Sequence, residues 1–178
     1  MRVITGTARG MSLKTLEGET TRPTTEKVKE AVFSAIQFEI EGRRVLDLFA
    51  GSGQMGIEAL SRGAESAVFV DADKNAIKIV KENVEKTRLN EKAQIMQMDA
   101  LGFLNMNIRK FDLVFLDPPY STGLLEKALK NVADFVAEGG VVICEHPFSD
   151  ELPEENEGLI RYRSYKYGKT AVTIYRKD

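Results

Sequence analysis

The chain reads Phe-Asp-Leu-Val-Phe-Leu-Asp-Pro-Pro-Tyr from Phe111 to Tyr120, and this stretch decides the fold. The apolar run from Leu113 to Leu116 predicts a buried strand. Two consecutive prolines cannot continue a helix or pair within a central sheet, so the strand must end at Asp117. Open α/β sheets bind their ligands at that carboxyl end. A carboxylate, rigid carbonyl groups and an aromatic ring suit a planar ring with an amino group, which points to a nucleobase amine. The predicted catalytic residues are Asp117, Pro118, Pro119 and Tyr120.

Short apolar runs alternate with helical segments on both sides of this strand. The predicted strands are 44–49, 67–70, 93–98, 111–116 and 141–145, and the predicted helices between them are 53–62, 73–89, 101–105 and 124–136. Gly139-Gly140 is expected to stop the last helix. The alternation predicts βαβ units, and therefore a parallel sheet covered by helices on both faces.

The two ends of the chain depart from this rhythm. Residues 159–167 and 170–176, joined by Gly168-Lys169, predict an antiparallel hairpin that extends the sheet to seven strands. Residues 1–21 predict a small separate β-hairpin, and a helix is predicted from Thr24 up to Gly42. We therefore expect an N-terminal extension over residues 1–21 and one α/β domain over residues 22–178.

A glycine-rich loop follows the first strand of the domain and opens a helix. Gly51-x-Gly53-x-x-Gly56 permits a tight turn and close approach of a ligand to the positive helix N-terminus. This spacing is also the dinucleotide fingerprint, and Asp71 stands about twenty residues further on, as that fingerprint requires. An NAD-dependent enzyme is therefore an alternative at this point.

Three carboxylates at successive strand ends favour a ligand without phosphates. Asp47 would repel a pyrophosphate but could hold a cationic amino acid moiety, Asp71 suits a ribose diol, and Asp99 could accept from an adenine amino group. S-adenosylmethionine carries all of these groups. Asp73 is interpreted instead as a helix cap. The predicted cofactor-binding residues are Asp47, Phe49, Ala50, Gly51, Ser52, Gly53, Asp71, Ala72, Asp99 and Ala100.

The composition of the 178 residues excludes several classes of protein. No apolar run approaches the roughly 18 residues that span a bilayer, so no membrane partner is expected. One cysteine, Cys144, allows no internal disulfide, which fits a reducing cytoplasm. With one cysteine and one histidine, a zinc site is not expected. We interpret Cys144 as a buried small hydrophobe and His146 as a structural hydrogen-bonding residue.

The net charge of −2 hides basic segments at both ends of the chain. If these segments meet in space, they form the positive surface that a phosphate backbone needs. The alternative is that the charges only solvate the surface. The basic residues concerned are Arg2, Arg9, Lys14, Arg22, Lys27 and Lys29 at one end, and Arg161, Arg163, Lys166, Lys169, Arg176 and Lys177 at the other.

Motifs along nearly the whole chain carry a resemblance to one family. The loop from Asp47 to Gly53 and the motif from Asp117 to Tyr120 are shared with adenine-N6 and cytosine-N4 enzymes, so they indicate the reaction type. Two N-terminal motifs, Gly6-x-x-Arg9-Gly10 and Arg22-Pro23-Thr24, narrow the choice. With them, the chain resembles the RsmD-type methyltransferases, which modify the N2 amine of a guanine in 16S ribosomal RNA.

The resemblance implies a Rossmann-like class I methyltransferase fold that uses S-adenosylmethionine and no metal. It implies 16S rRNA, in the small ribosomal subunit or its assembly intermediate, as the substrate. It also implies that the N-terminal hairpin grips RNA, and Arg9, Arg22 and Thr24 are the candidates for that contact; Thr24 equally suits a helix cap. The chain departs from the family at Met11, where a second basic residue is often found.

Two other functions remain open from the sequence. A DNA adenine-N6 methyltransferase would share the loop and the catalytic motif, but the ends of the chain leave little room for a domain that reads the major groove. A non-catalytic RNA-binding module predicts decay of the cofactor loop, whereas Asp47, Gly51, Gly53 and Asp71 are all present. No heptad repeat or large amphipathic surface indicates a dimer, so a monomer is expected.

Overall fold

A central eight-stranded sheet organises the computed structural model, which describes residues 1–17, 23–106 and 109–178, with no side chains for residues 23–25. The strand order is β3-β2-β1-β4-β5-β8-β7-β6. The strands are β1 (Arg44–Asp47), β2 (Ser66–Asp71), β3 (Ala93–Gln97), β4 (Phe111–Leu116), β5 (Val136–Pro147), β6 (Glu155–Asn156), β7 (Leu159–Tyr167) and β8 (Thr170–Lys177).

The first five strands are parallel to one another, and the last three are antiparallel. The predicted parallel sheet with an antiparallel C-terminal hairpin is therefore confirmed. The predicted total of seven strands is one too few because the two-residue strand β6, within an acidic stretch, pairs with the start of β7. So short a strand has no apolar alternation from which it could be predicted.

Helices cover both faces of the sheet. They are α1 (Pro23–Ala35), α2 (Gln54–Ser61), α3 (Lys74–Lys86), α4 (Ala100–Leu104) and α5 (Leu124–Val132). Residues of α1, α2 and α3 share one buried apolar core with one face of the sheet, and residues of α4 and α5 share a second core with the other face. In the part of the chain that the structure describes, no helix is long and apolar enough to cross a membrane.

The two largest errors in the predicted boundaries concern the ends of helices. Helix α1 ends at Ala35, and turns rather than helix lead to Gly42. Helix α5 ends at Val132, and β5 begins at Val136, before the glycine pair that was expected to stop the helix. The pairing of β4 with β5 shifts register between Phe111 and Leu113. Gly139, with a φ of 72°, lies within this irregular part of the strand, so the glycine pair serves a bulge.

The N-terminal segment, residues 1–17, folds back onto the domain. Its predicted hairpin is reduced to one antiparallel bridge between Arg2 and Ser12, with turns between them. Val3, Ala8 and Leu13 are buried in the same core as α1, α2 and α3. The segment is therefore attached to the domain by its own apolar side chains. The predicted boundary after residue 21 falls outside the described residues.

A buried carboxylate completes this attachment. Glu58 of α2 is fully buried and accepts hydrogen bonds from the backbone N–H groups of Ile4 (2.9 Å) and Thr5 (3.0 Å). The Arg62 Nε also donates to it at 2.9 Å, and the buried Lys29 Nζ lies 3.3 Å away. Burial lowers the pKa of the Lys29 ammonium, and the charge of Glu58 opposes that change. The cluster thus places a buried Lys29–Glu58 ion pair, with Arg62 as a second cation, under the N-terminal segment.

Candidate active site

Four neighbouring strands bring acidic residues to one edge of the sheet. In the order β2, β1, β4 and β5, the residues are Asp71 and Asp47 at the last positions of their strands, Asp117 directly after β4, and Glu145 near the end of β5. The carboxyl ends of parallel strands meet at the same edge. The structure therefore brings the predicted cofactor loop and the predicted catalytic motif next to each other.

The glycine loop is a tight turn between β1 and α2. Gly51 and Gly53 have φ values of 55° and 80°, which favour glycine. The Ala50 N–H donates to the Val70 carbonyl at 3.0 Å, and the Gly51 N–H donates to the Asp71 carboxylate at 2.9 Å. The loop is thereby fixed to the end of β2, where Asp71 is the residue predicted to bind a ribose.

Close packing explains the third glycine of the loop. A Cβ atom at Gly56 would lie 2.3 Å from Cε1 of Phe69 on β2, so no larger residue fits there without displacing that ring. The Gly56 N–H, in the first turn of α2, donates to the buried Asp47 carboxylate at 3.0 Å. Asp47 therefore orients the start of the helix from beneath the loop.

Burial raises the pKa of Asp47 to about 7; the Gly56 N–H opposes the rise, and the nearby charge of Asp71 adds to it. The unfolded chain releases this proton near pH 4, the ordinary value. Between about pH 4 and pH 7 the folded state binds more protons than the unfolded state, so this group makes the unfolding free energy fall as the pH rises.

We expect Asp47→Asn to remove that decrease, because an amide oxygen still accepts from Gly56 and does not titrate. Urea unfolding of both proteins across this pH range measures it: the stability of the wild type should fall relative to that of the variant as the pH rises. A constant difference across the range would contradict the shifted pKa.

The other carboxylates have mixed roles. Asp71 is half-buried and also accepts from the Asp73 N–H at 2.9 Å. Asp73 caps α3 by accepting from the Asn75 N–H at 2.8 Å, as predicted. Asp99 is exposed and caps α4 through the Gly102 N–H at 2.9 Å. The remaining predicted cofactor residues lie nearby: Phe49, Ala50 and Ser52 in the loop after β1, Ala72 directly after β2, and Ala100 at the start of α4.

The Asp-Pro-Pro-Tyr motif forms a rigid turn after β4. Asp117 is exposed, Pro118 is buried, and the Thr122 hydroxyl donates to the Pro119 carbonyl at 2.8 Å. Tyr120 is about half exposed, and its hydroxyl oxygen lies 3.3 Å from that of Thr170 on β8. The motif therefore presents a carboxylate and an aromatic ring at fixed positions.

Two hollows border this turn. The larger, of about 450 Å³, is lined by Pro118, Pro119 and Tyr120 together with His146 and Leu152. The smaller is a mostly apolar crevice on the face of α1 and α2, and Asp117 and Glu145 are its acidic lining residues. Glu145 lines both hollows.

Two residues of the site were not predicted. In the sequence, Glu145 follows an apolar run and belongs to no motif. Its position beside Asp117 results from the pairing of β4 with β5. Asn83 of α3 is fully buried and joins two distant segments: its amide donates to the Ser52 carbonyl at 2.9 Å and the Lys14 carbonyl at 3.0 Å, and its oxygen accepts from the Lys14 N–H at 2.8 Å. An asparagine inside a helical pattern gave no signal of this role.

Cys144 and His146 have the structural surroundings that were expected. Cys144 is fully buried, and burial raises the pKa of its thiol. His146 is buried, with its Nε2 2.8 Å from the Thr173 hydroxyl and its Nδ1 2.9 Å from the Pro147 carbonyl oxygen. In the described residues, no cluster of three or more histidine, cysteine or acidic side chains could hold a metal ion.

The predicted RNA contacts are only partly described. Arg9 is exposed on a turn of the N-terminal segment. Arg22 lies outside the described residues, and so does the side chain of Thr24, whose backbone belongs to α1. The two basic ends pack on the same core, since Tyr165 and Tyr167 contact it as the N-terminal segment does. Some of their charges are paired: Lys14 with Glu82, Arg161 with Glu154 and Arg176 with Glu39.

A family model described as Conserved hypothetical protein 95 matches residues 1–176. The chain belongs to this family, the RsmD family. The predicted family is confirmed. The Bacillus subtilis protein YlbH is 44% identical over 99% of each chain. Ribosomal RNA small subunit methyltransferase D of Haemophilus influenzae is 33% identical over 93% of each.

A solved structure allows the fold of this chain to be compared with that of another methyltransferase. The T. thermophilus 16S rRNA N2 methyltransferase RsmC, in complex with AdoMet and guanosine, matches with a TM-score of 0.76 and 25% identity. The match covers 92% of this chain and 45% of that one. The predicted Rossmann-like methyltransferase fold is confirmed.

Proposed function

We propose that this protein transfers a methyl group from S-adenosylmethionine to the exocyclic N2 amine of a guanine in 16S rRNA. The observation that carries the proposal is the adjacency of β1 and β4, which sets the Asp47 glycine loop beside the Asp117 motif. The names of the relatives, which act on small-subunit ribosomal RNA or on a guanine N2 amine, support the substrate. We propose the small subunit or its assembly intermediate as the form that is recognised.

The residues of the loop fit S-adenosylmethionine better than a dinucleotide. A pyrophosphate would approach the buried Asp47 carboxylate, which already occupies the Gly56 N–H at the start of α2. Burial raises the pKa of the same carboxyl group, and a neighbouring ammonium group would oppose that rise by favouring the charged form. Asp71 and Asp99 are the proposed partners of the ribose and the adenine. When bound, S-adenosylmethionine supplies an electrophilic methyl group on a sulfonium.

The motif at β4 orients the target amine. The lone pair of an amine on a base is delocalised into the ring, which makes it a poor nucleophile. If the Asp117 carboxylate and the Pro118 carbonyl each accept one N–H, the lone pair turns toward the donor. Such positioning supplies up to about 7–11 kcal/mol in favourable cases. Tyr120 holds the base by stacking, and Asp117 or water accepts the proton that the nitrogen releases.

Nucleoside analysis after labelled methyl transfer tests this function. Small subunits that lack the modification should accept label from the donor, and the label should be recovered as N2-methylguanosine. Recovery as N6-methyladenosine would overturn the substrate, and transfer to DNA alone would favour the DNA methyltransferase. If no nucleic acid accepted label, catalysis itself would be refuted in favour of an RNA-binding module.

Arg9→Ala is expected to weaken RNA binding with a shallower salt dependence. An exposed guanidinium on a turn contacts phosphate well, and losing one contact to single-stranded RNA should reduce the slope of log K against log salt by about 0.7. Binding titrations at several salt concentrations measure this. Lys127→Ala, an exposed basic residue of α5, is the control and should leave the slope unchanged. An unchanged slope for Arg9→Ala would exclude a phosphate contact.

Arg22 and Thr24 are proposed as further RNA contacts, in addition to Arg9 of the N-terminal segment. A reaction on ribosomal RNA would take place in the cytoplasm. A monomer remains the prediction for the oligomeric state.

A further inference from the structure

Glu145 stands beside the catalytic motif because of strand pairing. Leu116 of β4 pairs with Cys144 of β5, and both pack into the core on the side of α4 and α5. The next residues, Asp117 directly after β4 and Glu145 on β5, therefore follow this pair and point to the opposite face. Such strands lie about 4.8 Å apart. The two side chains accordingly line one crevice together.

Glu145 is placed to accept a hydrogen bond from a ligand in this crevice. The Tyr120 hydroxyl donates a hydrogen bond to it; burial raises the pKa of the Glu145 carboxyl, and this hydrogen bond opposes the rise. A carboxylate has about four acceptor sites, so the Tyr120 hydroxyl does not exhaust the acceptor capacity of Glu145. The other lining of the crevice is apolar: Val32, Met55, Phe115, Leu116, Ile143 and Val172. A polar ligand edge in this crevice would therefore meet Asp117 and Glu145.

The hydrogen-bonding groups of the bases indicate which base suits two neighbouring acceptors. Adenine, cytosine and guanine all carry an exocyclic amine. In adenine and cytosine, the ring nitrogen beside the amine is a bare acceptor. In guanine, two ring nitrogens flank the amine, N1 and N3, and N1 carries a hydrogen. Guanine alone of the three thus presents two adjacent donor groups to a pair of carboxylates.

We propose that Glu145 is the specificity-determining residue that accepts the N1–H of the target guanine, while Asp117 accepts from the N2 amine. This inference rests on the proposed function and extends it to the choice of base. An adenine or cytosine in the same position would set a ring-nitrogen lone pair against the Glu145 carboxylate. The Tyr120 hydroxyl keeps that carboxylate in place, so the stacking ring and the recognising group form one unit.

An analogue that changes only N1 provides the test. The substrate RNA identified by nucleoside analysis is prepared with either guanine or 2-aminopurine at the methylated position. 2-Aminopurine keeps the amine, but its N1 is an acceptor. The full-length wild type should prefer guanine in kcat/KM. In Glu145→Gln, the amide can donate to that N1, so the preference should fall by about tenfold to a hundredfold, the range for one specific base contact.

Matched variants distinguish base recognition by Glu145 from a general structural effect of the substitution. Tyr120→Phe loses the hydroxyl but keeps the ring and the Glu145 carboxylate, so it should lower the guanine preference less than Glu145→Gln does. Glu145→Asp, which retains the carboxylate, should keep the guanine preference at a lower rate. Glu138→Gln, an exposed acidic residue near the other end of β5 that lines neither hollow, should match the wild type.

The preference is a ratio within one preparation, so partial misfolding of a variant cancels. An unchanged preference in Glu145→Gln, with guanine still methylated by the wild type, would overturn the role of Glu145. An equal rate of the wild type on both substrates would do the same. Failure of the wild type to methylate guanine RNA at all would instead refute the proposed function.

Discussion

Asp117→Ala should lower the rate of methyl transfer by about 10²- to 10⁴-fold, the range for one positioned acid–base group. The affinity for S-adenosylmethionine should stay within about twofold of the wild type. Asp117 belongs to the turn after β4, whereas the proposed donor residues lie at or after the ends of β1, β2 and β3. Single-turnover transfer to unmodified small subunits measures the rate, and calorimetric titration of the donor measures the affinity.

Two companion variants sharpen this result. Asp117→Asn keeps one acceptor oxygen and should retain more activity than the alanine variant. Asp134→Ala, an exposed acidic residue after α5, should resemble the wild type in both measurements. If donor affinity collapses in Asp117→Ala while transfer at saturating donor is normal, Asp117 belongs to the cofactor pocket and the assigned role is wrong.

Glu58→Ala should lower the free energy of unfolding by about 3–5 kcal/mol, the range for breaking a buried ion pair from one side. The change would leave the Lys29 ammonium buried without its partner and would remove the acceptor of the Ile4 and Thr5 N–H groups. Urea denaturation measures the stability, and hydrogen exchange should show earlier opening of residues 1–17 than of the sheet.

The chain offers a control for this change. Glu82→Ala also removes a carboxylate that binds the N-terminal segment, through Lys14, but that pair is solvent-exposed and should matter little. Combining Glu58→Leu with Lys29→Met removes both buried charges and should recover part of the stability. Equal effects of Glu58→Ala and Glu82→Ala would show that burial of the pair does not decide its contribution.

The parts of the site that could be predicted are those fixed by local chemistry. Two prolines must end a strand, and positive φ values in a tight loop favour glycine, so Asp117 and Gly51 were placed correctly from sequence alone. Asp73 was identified as a cap because the capping hydrogen bond is also local. None of these inferences needed to know which strands are neighbours.

The parts that could not be predicted depend on contacts between distant segments. Glu145 is significant only because β5 pairs with β4, and Asn83 only because the N-terminal segment docks on α3. Gly139 was interpreted as a helix stop, whereas a shift in strand pairing uses it as a bulge. The burial of Glu58 could not be predicted from the sequence of α2 either, because it depends on Ile4 and Thr5 of a distant segment.

The short strand β6 has a consequence for how the protein behaves at high concentration. An unpaired outer strand invites a second chain to add to it, which is a route to aggregation. Here Glu155–Asn156 closes the beginning of β7, and the uncovered remainder of β7 carries the cations Arg163 and Lys166. Like charges would face each other if two such borders met, so the outer border of the sheet resists fibre-like stacking.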